Sequence, residues 1–120
     1  MFEVEYYEEN NKCPVFEFIK ALPPKEQAKI LREIDLLEEF GLSLGLPHIK
    51  KLQGAYSSLW ELRIKHSTNN FRIFYFNYID GKFVLLHAMR KTSNKTPRGH
   101  LEIAFKRMKN YLKGCDNNEA

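Results

Sequence analysis

Trp60-Glu61-Leu62-Arg63-Ile64-Lys65 alternates apolar and charged residues without a break. Successive side chains of a strand point to opposite faces, so this run predicts a strand with one packed and one open face. Thr68-Asn69-Asn70 turns the chain. Phe71-Arg72-Ile73-Phe74-Tyr75-Phe76 is β-prone almost throughout and reads as a central strand. Asp80-Gly81 is a hairpin signal, and Phe83 to Arg90 supplies the next strand. The three runs together predict an antiparallel meander.

Helices flank the meander in the sequence. After it, Thr96 reads as an N-cap with Pro97 at the first helical position. Leu101, Ala104, Phe105, Met108 and Leu112 form one helical stripe. Gly114 is the expected stop, with 115–120 as a flexible tail. Before the meander, Gly41 to Ser58 reads as loop or short edge structure. Upstream, Pro24 opens a helix in which Ile30, Ile34 and Leu37 repeat at helical spacing, widened by Ala28 and Leu31. Lys29 and Glu33 are four apart and are expected on its wet face. Gly41 is its natural stop. A shorter helix from Pro14 carries Val15, Phe16, Phe18 and Ile19 and ends at Pro23-Pro24. Phe2 to Tyr7 alternates as a first strand and is broken by Asn10-Asn11. The order predicts a single α+β domain over 1–114: an N-terminal strand, a helical hairpin packed on a mainly antiparallel sheet, and a C-terminal helix.

Composition narrows the function classes. The 120 residues are 43% hydrophobic and 28% charged, which excludes a disordered tail and suits one globular domain. No apolar run approaches the ~20 residues of a membrane span. Met1-Phe2-Glu3-Val4-Glu5 is acidic and lacks the apolar core of a secretory signal, so the expected compartment is the cytoplasm. Cys13 and Cys115 read as reduced, unpaired thiols. The chain carries a net charge of +4, distributed unevenly. Acidic residues outnumber basic ones up to Phe40, and basic residues dominate from His48 to Lys113. Such a half suits either a polyanion such as nucleic acid or a solvated charged surface. No Gly-rich phosphate loop, nucleophile elbow or zinc-ligand spacing among His48, His66, His87 and His100 is present, so neither metal nor cofactor is expected.

The charged residues of the meander point to chemistry. Alternation sets Glu61, Arg63 and Lys65 on one side of their strand, and sets Arg72 opposite Ile73 and Tyr75. His87 and Lys91 share a face if the last strand extends that far. Parity alone leaves open whether these sets share one side of the sheet. If they do, Arg63, Arg72, His87 and Lys91 converge on a cationic cleft. An arginine inside a central strand needs a carboxylate, such as Glu61, or an anionic ligand. RNA brings its own nucleophile, the 2′-OH, beside each phosphate. A protein that cuts it must hold the backbone, help remove that proton and stabilise the phosphorane. A histidine near neutral pKa can move the proton.

Lys50-Lys51-Leu52, Leu59-Trp60-Glu61-Leu62-Arg63, Phe71 to Phe76 and Lys95-Thr96-Pro97, ahead of a helix with Glu102, Ala104 and Arg107, resemble the RelE/ParE toxin superfamily. Within it the chain is most similar to the HigB-like, phage-derived branch. The resemblance implies a RelE-like fold and the toxin of a type II toxin–antitoxin pair, a ribosome-dependent mRNA interferase that leaves a 2′,3′-cyclic phosphate without metal. It implies that Arg63 holds RNA phosphate, that Arg72 contacts the scissile phosphate and that Lys91 assists charge stabilisation, with His87 offered as proton carrier. Lys50 and Lys51 would dock RNA, with Lys65, Arg90 and Lys95 as further RNA-binding positions. The partners implied are the ribosome, mRNA and an antitoxin, expected to be a helix-turn-helix protein, with no membrane and no small-molecule cofactor. Met89-Arg90 stands where the family often has Phe-Lys, and Gly99-His100 departs from its usual Arg/Lys-Glu run. A ParE-type inhibitor of DNA gyrase and a non-catalytic RNA-binding module are the alternatives.

Overall fold

The expected meander is the centre of a five-stranded sheet in the computed structural model, which describes residues 2–119. In chain order the elements are β1 (Glu3–Tyr6), α1 (Pro14–Lys20), α2 (Pro24–Phe40), β2 (Ile49–Lys51), β3 (Trp60–His66), β4 (Asn69–Ile79), β5 (Lys82–Lys91) and α3 (Arg98–Glu119). Single 3₁₀ turns, Gly41–Leu44 and Gly54–Tyr56, flank β2. The strands run β1-β5-β4-β3-β2 across the sheet. Every pair is antiparallel except β1 with β5. The fold is therefore α+β, as the order of elements predicts.

Both faces of the sheet are covered. Ile49, Leu62, Ile64, Phe71, Ile73, Tyr75, Phe83 and Leu85 pack against Val15 and Ile19 of α1 and Ile30, Ile34 and Leu37 of α2. Phe74, Phe76, Val84, Leu86 and Met89 pack under Ala104 and Met108 of α3. Two covered faces explain why β4 and β5 read as nearly continuous apolar runs. Each fully buried side chain of this size stabilises the fold by roughly 1.5–3 kcal/mol relative to exposure.

The alternation is carried across β5 by a bulge. Tyr75 pairs with Leu85, but Phe74 pairs with His87, so Leu86 is an extra residue in the ladder. Beyond it Met89 lies opposite Arg72, and Lys91 opposite Asn70.

Four sequence expectations need correction. The inward face of α2 is not widened by Ala28 and Leu31, which are exposed. It carries Glu26 and Glu33, both buried, in line with Ile30, Ile34 and Leu37. Glu33 therefore does not lie on the wet face. α2 reaches past the apolar core to the sheet edge, where polar partners await its carboxylates. α3 begins one residue later than expected, with His100 N–H donating to the Pro97 carbonyl at 3.1 Å. It also continues through Gly114. A helical glycine costs only about 1 kcal/mol relative to alanine, too little to end a helix by itself. Of the expected tail, Ala120 lies outside the described residues. Gly41 does end α2: its φ of +61° suits glycine, and the ring of Phe2 packs where a Cβ would stand. No helix among the described residues is long and apolar enough to cross a membrane.

Candidate functional site

α3 packs on β5 and β4, and its Phe105 ring meets Tyr56 of the turn between β2 and β3. The charged residues of the meander gather on the same face of the sheet, beside the helix. Arg63 and Arg72 stand directly opposite each other across β3 and β4. Neither shares the side of Leu62, Ile64, Phe71 and Ile73, which pack under the helical hairpin. Glu61 is on the same side, one alternation away, and Lys50 of β2 lies opposite it. Lys91 joins them because the β5 bulge restores its parity with Arg72. The open question left by parity is thereby settled: the three sets share one face.

Glu61 is 5% exposed and sits between the two arginines, with Oε1 3.7 Å from Arg63 Nε and Oε2 3.9 Å from Arg72 Nε. Both separations are long for hydrogen bonds. Arg72 is 7% exposed and donates through Nη1 to the Phe71 carbonyl at 3.1 Å. Its Nε is buried with no hydrogen-bond partner among the described residues. Burial lowers the Arg72 pKa, Glu61 opposes that shift, and Arg63 adds to it. Burial also lowers the Lys91 ammonium pKa, and Arg72, Arg63 and Lys50 lower it further against the pull of Glu61. One carboxylate thus faces four cations, an excess of positive charge that suits an anion.

Space for that anion lies alongside. A cleft of about 570 Å³ is lined by Arg63, Asn70, Arg72 and Lys91, with Thr92, Ser93 and Asn94 of the loop after β5. A second cleft of about 330 Å³ opens at the β3 edge that β2 leaves uncovered. It shares Arg63, Asn70 and Arg72 with the first and adds Lys65, His48, Glu33 and Lys29.

The other expected residues separate. Lys65 lines the edge cleft. Lys51 is paired with Trp60, so it points to the side opposite Lys50. Arg90 lines the larger cleft from the opposite face of the sheet to Arg72: its guanidinium lies 5.5 Å over the Phe71 ring, and Nη2 is 3.8 Å from Glu26 of α2. Lys95 is exposed in the loop before α3. His87 lies on the expected face but under α3. Its ring is nearly parallel to that of Phe74, with centroids 6.3 Å apart. Arg107 Nη1 donates to its Nδ1 at 3.2 Å, so its Nε2–H is left to donate to His100 Nδ1 at 2.8 Å. Burial, then Arg107 and His100, push its pKa down to about 4. With both ring nitrogens engaged, His87 is a structural link between β5 and α3.

Sequence reasoning missed the carboxylates behind the sheet edge. Glu33 Oε2 is 2.9 Å from His48 Nδ1, and Glu26 accepts from Asn69 Nδ2 at 2.5 Å. The signal available was two carboxylates on the apolar stripe of α2, since a carboxylate at a core position requires a buried partner.

A sequence family described as "Phage derived protein Gp49-like (DUF891)" matches residues 17–109. That span runs from within α1 to within α3 and takes in every residue of the cationic face. The chain matches none of the curated proteins compared with it.

Proposed function

Because the chain belongs to the phage-derived Gp49-like family, a RelE-like family associated with toxin–antitoxin systems, we propose that it is the toxin of a type II pair and cuts mRNA on the ribosome. The observation that carries this reading is the gathering of Lys50, Arg63, Arg72 and Lys91 around the buried carboxylate of Glu61.

In this reading a phosphate of the message enters the cleft and takes up the unmet charge. Arg72, buried and with a free Nε, contacts the scissile phosphate. A guanidinium held in a site of low water content stabilises a phosphorane more strongly than one in solvent. Arg63 holds the adjoining backbone, and Lys91 adds a compact charge where negative charge develops. Attack by the 2′-oxygen forms the O2′–P bond, and the P–O5′ bond breaks. The products are a 2′,3′-cyclic phosphate and a 5′-hydroxyl. Lys50 and Lys65 extend the cationic track toward β2 and the sheet edge. The reading includes an antitoxin whose acidic residues cover the face, complementarity that also speeds encounter. Its setting is the cytoplasm, where ribosomes and message meet.

Primer extension on a translated message tests it. The wild-type protein should give discrete stops, and Arg72→Ala should abolish them while its circular dichroism spectrum stays unchanged. An intact message accompanied by damaged DNA would favour gyrase inhibition instead. Tight RNA binding on translating ribosomes without a cut would favour a binding module.

A further inference from the structure

We propose that His48 is the group that removes the 2′-OH proton, and that Glu33 is the positioning residue that orients it; the assignment rests on the nuclease reading above. Glu33 is 4% exposed, and its Oε1 is 3.4 Å from Lys29 Nζ. A carboxylate only accepts, so at 2.9 Å His48 Nδ1 carries the hydrogen. The lone pair of a neutral ring is then on Nε2, which has no hydrogen-bond partner among the described residues. A carboxylate that fixes the tautomer and stabilises the imidazolium is the supporting half of a general-base dyad.

Placement makes the dyad useful. His48 lines the edge cleft together with Arg63 and Arg72, the two groups assigned to phosphate. Its carbonyl accepts the Arg63 N–H at 2.7 Å, so the backbone of the base is tied to the strand that carries a phosphate ligand. The contrast with His87 is chemical: that ring is engaged at both nitrogens, whereas the His48 side chain is 36% exposed and engaged at one. In the step, Nε2 takes the proton from the 2′-OH as O2′ bonds to phosphorus. The departing 5′-oxygen takes a proton from water. The imidazolium returns its proton to the hydroxide so formed, which leaves the enzyme unchanged.

The test is single-turnover cleavage of a ribosome-bound message across pH 5.5–8.5. The charged groups that share the edge cleft with His48 are Glu33 and Lys29 from α2, Arg63 and Lys65 from β3, and Arg72 from β4. His48→Ala and His48→Gln should each slow cleavage by roughly 10²–10⁴-fold, the usual worth of a general base. Both should lose the rise of rate with pH, and added imidazole should restore part of the alanine variant's rate. Glu33→Gln should lower the rate constant and alter the pH profile with little change in KM. Near-wild-type rate and pH profile in either His48 variant, with Arg72→Ala inactive, would overturn the assignment and leave the nuclease reading standing. Loss of activity without imidazole rescue and with the pH profile intact would assign His48 a structural role and overturn it too. A message left intact by the wild-type protein would overturn both.

Discussion

Arg63 and Arg72 face each other across β3 and β4, and the buried carboxylate of Glu61 stands beside both, within 4 Å of each Nε. Like charges directly opposite on neighbouring strands are destabilising. Glu61 offsets that repulsion at distances too long for good hydrogen bonds. The fold therefore holds two guanidiniums side by side, with Arg72 Nε unpaired among the described residues, and an anion entering the cleft would find donors already positioned.

Glu61→Gln keeps the side-chain shape and removes the charge. It should destabilise the protein by about 1–3 kcal/mol, because the buried Arg72 guanidinium loses its partner. Inorganic phosphate should recover part of the loss by binding the folded state. Urea unfolding with and without phosphate measures both effects. A variant as stable as wild type and indifferent to phosphate would show that the arginines need no anion.

Lys50 and Lys51 are adjacent in sequence and opposite in space. Lys50→Ala should weaken binding of a short single-stranded RNA severalfold and lower the salt dependence by about one counterion. Lys51→Ala should change neither appreciably. Fluorescence anisotropy at several salt concentrations distinguishes them, and equal effects would place RNA across the sheet edge rather than on one face.

His87 links stability to pH. Its folded pKa of about 4 lies below the ordinary 6.5, chiefly through burial and then through Arg107 and His100. As pH falls through 6.5 the unfolded chain takes up this proton before the folded one does. Stability should therefore rise with pH between about 4 and 6.5 and fall on acidification through that window. His87→Gln should flatten this part of the wild-type profile, as read from unfolding midpoints at pH 4.5 and 7. Parallel profiles in the two proteins would remove His87 from the effect.

Much of the architecture was legible because it rests on local periodicity. The alternation of Trp60 to Lys65, the turn at Asp80-Gly81 and the proline boundaries at Pro14 and Pro24 each reflect a short-range rule, and each holds. Arg63, Arg72 and Lys91 were legible as a set, but their common face was not. Phe83 to Leu86 is apolar on both sides, so it offers no alternation from which the bulge at Leu86 could be read. Arg90 and Lys51 were legible only as charges, because charge records composition, whereas register decides which face each takes. The Glu33–His48 pair was hidden for another reason: its members come from α2 and from the residue before β2, and no sequence period connects them.

The extra residue at Leu86 gives the sheet a kind of phase. Were the bulge straightened with Leu86 kept, Phe74 would pair with Leu86 and Ile73 with His87, and every side chain from His87 onward would change sides. Lys91 would then turn toward the helical hairpin and Arg90 would take its place above Arg72. A one-residue deletion at Leu86 itself would instead keep His87 opposite Phe74 and Lys91 opposite Asn70, and the cleft would retain its ammonium. Two chains of this kind that differ by a single gap in β5 would need to be aligned by ladder, not by letter, before their cleft residues were compared.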